Sequence, residues 1–106
     1  MTDRSQSGAR PGPLMDPLGQ MIQQGREAAE FLWQVPEDAA TRTQVGDLLT
    51  RIHAAATAQG KHEMPAICEA LAPAVNAAPT PQAVEILQNG FERLHKLWLA
   101  TRSGLV

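Results

Sequence analysis

Three histidines, His53, His62 and His95, and a single cysteine, Cys68, are the side chains of this 106-residue chain best suited to metal ligation or nucleophilic chemistry. Glu92 and His95 have the Glu-x-x-His spacing of di-iron helical bundles. Such a centre needs that motif on two helices, with two further glutamates facing inward, and only one copy is present. The histidines fall on separate segments without the short spacings of a zinc site, so no metal and no resident cofactor is expected. Hydrolytic chemistry has no support either. There is no Gly-x-Ser-x-Gly, no phosphate-cradling glycine loop and no recognisable inward pair of carboxylates. Cys68 lies in the apolar-periodic stretch MPAICEAL, which predicts a buried thiol. A lone cysteine cannot form an intrachain disulfide.

His53 is the residue with the most specific context. It sits in DLLTRIHAAATAQG, residues 47–60, where Leu48, Leu49, Ile52 and Ala56 make an apolar helical stripe. Successive helical positions are about 100° apart, so His53 stands at the edge of that stripe. Its expected surface neighbours are Leu49, Thr50, Ala56, Thr57 and Gly60. A neutral imidazole, with its ordinary pKa near about 6.5, is a competent nucleophile toward an aspartyl phosphate. The small residues that follow would let a partner approach the ring. The plain alternative is an ordinary, partly exposed helix histidine.

The elements that must position these residues are helices. Alanine is abundant and β-branched and aromatic residues are scarce, which argues against a sheet. Asp16-Pro17 is a helix start, with an N-capping Asp and Pro at the first helical position. Leu18, Met21, Ile22, Gly25, Ala28, Ala29, Leu32 and Trp33 then recur at threes and fours until Pro36. Thr41 to Gln44 fits a capping box and opens a second helix that ends near Gly60, a suitable left-handed C′ residue. Met64, Ile67, Cys68, Leu71 and Val75 mark a third helix, with Pro73 predicting a kink or an early end. Thr80-Pro81 repeats the start signal. Val84, Leu87, Phe91, Leu94 and Trp98 follow, with a second stripe of Ile86, Gly90 and Leu97. That second stripe predicts that the fourth helix touches two neighbours, or one neighbour and another chain. Trp33 and Trp98 are expected as core or groove anchors. The expected architecture is all-α, an antiparallel four-helix bundle with helices at about 17–34, 42–59, 63–77 and 81–102.

Length and charge bound the rest. One domain is expected, with residues 1–13 a disordered tail and 14–106 the bundle. The formal net charge is −2, which indicates neither a nucleic-acid footprint nor a basic membrane patch. No apolar run approaches a membrane span and the N-terminus has no apolar signal core. A cytoplasmic location is expected.

The order of parts resembles a histidine phosphotransfer (HPt) domain, especially the N-terminal one of chemotaxis-type histidine kinases. The residues that carry the likeness are Leu48 and Leu49, five and four positions before His53, Ile52 beside it, and Ile67 and Leu71, 14 and 18 positions after it. The tail APTPQAVEILQNGFERLHKL is similar to the family's last segment, and the likeness spans about residues 18–102. Two positions depart from the family's motif: its Lys is Ala56 here and its Gly is Thr57. The resemblance implies a signalling module of a bacterial two-component or chemotaxis-type pathway, docking a receiver domain or signalling kinase on the face of helices one and two around His53. Two forms follow: His53 is a phospho-acceptor, or the chain is a degenerate relative that binds without phosphotransfer. In either form it is at most a phosphotransfer intermediate, and any Mg²⁺ belongs to the partner. A different class of reading is a structural or chaperone-like bundle whose broad fourth helix makes a homodimer or binds an amphipathic helix.

Overall fold

The computed structural model describes residues 16–102, so the tail expected at 1–13 lies outside the described residues. Four helices follow one another: α1 (Pro17–Gln34), α2 (Ala39–Ala58), α3 (Glu63–Asn76) and α4 (Pro81–Arg102). No strand occurs among the described residues. The connections are short, at 35–38, 59–62 and 77–80, which makes sequential helices antiparallel neighbours. Each helix packs on the next, and α4 closes the ring against α1. The expected all-α bundle is what the chain forms.

The helix ends show why these segments begin and stop where they do. Asp16 Oδ1 accepts from the Gly19 N–H at 2.7 Å, with Pro17 at the first position as expected. The start of α2 differs from the capping box at Thr41. Asp38 is the N-cap: its Oδ2 accepts from the Thr41 N–H at 2.9 Å and from the Thr41 hydroxyl at 2.6 Å. Thr41 is therefore a donor inside the first turn, and α2 begins at Ala39. Aspartate wins because it accepts both donors as an anion at the positive end of the helix. At the other end Gly60 has φ 77°. Lys61 N–H bonds Ala56 O and Gly60 N–H bonds Thr57 O, both at 3.0 Å, a Schellman closure. α3 carries Pro73 within it and stops at Asn76, three residues later. Its last carbonyls are served from outside, by Arg42 Nη2 donating to Val75 O at 2.7 Å and to Ala77 O. Thr80 Oγ1 accepts from the Ala83 N–H at 3.2 Å and opens α4.

The core is one cluster from all four helices, with Ile22, Val45, Ile52, Phe91 and Leu94 fully buried. Two glycines are sockets for it. The Phe91 ring occupies the space where a Gly25 side chain would begin, and the Leu71 side chain does the same at Gly90. α4 thus presents Phe91 to α1 and Gly90 to α3, so its two stripes serve two neighbours within the chain. Leu97 is half-buried against the core, while Ile86 and Leu99 remain exposed. Trp98 is buried and donates from Nε1 to Asp16 Oδ1 at 3.2 Å, tying the end of α4 to the start of α1. Trp33 is exposed and donates from Nε1 to Gln88 on α4.

Candidate functional site

His53 lies on α2 and faces α3. Its Nε2 is 2.9 Å from Oε2 of Glu69, sixteen residues on. Side-chain exposure is 37% for His53 and 70% for Glu69, so the pair sits at the surface. An ionised carboxylate only accepts, so this contact puts the ring proton on Nε2 and leaves Nδ1 with the lone pair when the ring is neutral. The pair borders a groove of about 400 Å³ between α2 and α3. Gly46, Leu49 and Thr50 line it from α2, and Cys68, Ala72, Val75 and Asn76 from α3.

Helical geometry explains the placement. Leu49, Ile52 and Ala56 turn inward, which rotates His53 toward the seam with α3 rather than toward α1. The seam between α1 and α2 is lined instead by Gln20, Met21, Gln24, Arg51 and Ala55. The surface around His53 is therefore formed by α2 and α3, not by the helices one and two on which docking is expected. The five expected neighbours separate. Leu49 is buried and forms part of the groove floor, and Thr50 is on its rim with its hydroxyl donating to Gly46 O at 3.1 Å. Ala56 is 0% exposed and cannot meet a partner; it belongs to the core, as its place in the apolar stripe implies. Thr57 is exposed outside the groove. Gly60 lies at the end of the bundle, beside a different concavity with Lys61, His62 and Leu97.

The α3 side of the groove, with Glu69 at its head, is what sequence reasoning missed. One signal was available: Glu69 is the only charged residue of α3 after its first position. Cys68 is buried, as expected, and its thiol is pushed up to about 11 by burial and next by the Glu69 carboxylate. That makes it a poor nucleophile. Glu92 and His95 do not combine: Glu92 takes Arg26 Nε at 2.9 Å, and His95 stacks on Trp98 with centroids 6.0 Å apart. No three acidic, histidine or cysteine side chains among the described residues gather as a metal site would require. No helix of the described residues is long and apolar enough to cross a membrane.

No protein-family model, curated protein or solved structure matches this chain significantly.

Proposed function

We propose that the chain is an HPt-like docking module that engages a receiver domain or another regulatory protein through the α2–α3 groove beside His53. The observation that supports this is the His53–Glu69 pair, half in solvent above a partly apolar groove. Binding sites commonly combine an apolar cleft with a few convergent polar groups. Docking is favoured over phosphotransfer by the chemistry of the same pair. With its proton on Nε2, the neutral His53 ring has its lone pair on Nδ1 alone, and the Glu69 carboxylate repels a phosphoryl group that approaches from the Nε2 side. Ala56 and Thr57 supply neither the cation nor the glycine of the family's motif.

Treatment with phosphoramidate and with a phosphorylated receiver tests the chemistry. The docking form expects no acid-labile phosphate on the wild type; label that disappears in His53→Gln establishes the phosphotransfer form instead. Docking itself is read by titrating the ¹⁵N-labelled protein with a response-regulator receiver domain. Shifts centred on Leu49, Thr50, His53 and Glu69, lost in Thr50→Arg, support the groove. Shifts centred on another face refute it.

A further inference from the structure

We infer that the α2–α3 groove selects an amphipathic, basic protein segment, one whose apolar stripe enters the groove while a lysine or arginine reaches Glu69. This rests on the docking reading above and names the chemistry of its partner. Charge complementarity carries the inference. α3 bears two carboxylates, Glu63 and Glu69, and no lysine or arginine. Of the two arginines of α2, Arg51 faces Asp47 at 3.8 Å, and Arg42 donates to Val75 O and Ala77 O at the end of the groove away from Glu69, so the Glu69 end is the acidic one. Glu69 is the one acidic side chain on the groove lining. Its Oε2 meets His53, and its Oε1 has no hydrogen-bond partner among the described residues. Pro73, inside α3, has no N–H to give the Glu69 carbonyl one turn back.

The shape agrees. Leu49 and Cys68 are buried beneath the groove, Val75 is half-buried along it, and Gly46 adds no side chain to narrow it. The lining runs from position 68 to 76 on α3, about 12 Å at the helical rise, or two turns of a partner helix. An ammonium or guanidinium group beside the apolar stripe of such a helix would form a charge-assisted hydrogen bond with Glu69. It would also compete with His53 for the carboxylate. An acidic segment meets repulsion at the same point.

Two helical peptides with one apolar stripe, flanked by lysines in one and glutamates in the other, test this on the intact chain. At low salt the lysine peptide should shift the amides of Leu49, Thr50, His53, Glu69 and Val75 and bind at least about tenfold tighter than the glutamate peptide. That preference should shrink with added salt. Glu69→Gln should bring the two peptides together, and Glu69→Lys should reverse their order, both with unchanged circular dichroism. Displacement of His53 should appear as a change in its ring ¹⁵N shifts. Equal binding of both peptides in the groove overturns the charge inference and leaves the docking reading standing. Absence of groove shifts with either peptide, alongside groove binding by a receiver domain, does the same. Absence with peptides and receiver alike removes both. Concentration-dependent self-association abolished by Glu69→Lys overturns the inference in favour of a second copy as occupant.

Discussion

His95 shows how one side chain reports on its surroundings. Burial first, and the nearby Arg26 guanidinium next, lower its pKa from the ordinary value of about 6.5, while Glu92 opposes them. Its folded form therefore binds a proton less readily than its unfolded form. Stability from His95 is fully present above pH ~6.5 and falls as the pH drops from there toward the lowered folded value, because only the unfolded chain gains the proton in that window. Urea midpoints measured between pH 7.5 and 5 should decline in the wild type and decline less in His95→Gln. Parallel slopes would show that other groups carry the dependence. Two other single positions separate core from groove. Ala56→Arg places a charge at a fully buried site and should cost about 3 kcal/mol or more. Thr50→Arg, at an exposed position, should stay within about 0.5 kcal/mol. Urea denaturation distinguishes them, and similar losses for both would place Thr50 in the core.

At the scale of the helices, the legible part was periodic. The stripes of apolar residues, Asp16-Pro17, Gly60 and Thr80-Pro81 identify all four helices, because capping and amphipathicity are local properties of the chain. The start of α2 was less legible: Asp38 and Thr41 are both good caps by type, and only the hydrogen bonds show Thr41 donating to Asp38. Arg42 closing the end of α3 joins residues 33 positions apart, and the His53–Glu69 pair joins residues 16 apart. Neither follows from a local pattern, since each depends on how α2 is rotated against α3. The same holds for the sockets at Gly25 and Gly90, whose sequence context says apolar face but not which side chain fills the gap. Alanine is the better helix former by about 1 kcal/mol, so exposed glycines would gain from substitution. Here the added Cβ collides with Phe91 or Leu71. Gly25→Ala and Gly90→Ala should each destabilise by about 1–3 kcal/mol in chemical denaturation, and a gain in either would mean that the seam opens freely to admit a methyl group.

The whole molecule joins a half that carries the α2–α3 groove to a half closed by the α1–α4 seam. The groove lies between α2 and α3, while Arg26–Glu92, Trp98–Asp16 and Phe91 in the Gly25 socket hold α1 to α4. One core cluster runs through both halves, so the groove should not survive opening of the α1–α4 seam. Phe91 is fully buried in that seam, and Phe91→Ala should cost about 3–5 kcal/mol, a large share of the roughly 5–15 kcal/mol that holds a typical domain. The two tryptophans allow the coupling to be read. Trp98 is buried at the seam and Trp33 is exposed near the α1 C-terminus, while circular dichroism averages over all four helices. Fluorescence and ellipticity should lose their signals in one coincident transition, in the wild type and in Phe91→Ala alike. A ligand in the groove should then raise that single midpoint even though it touches neither tryptophan. Separate transitions, with helicity persisting after the tryptophan signal has gone, would instead make α2 and α3 a self-sufficient hairpin that holds the groove without the other two helices.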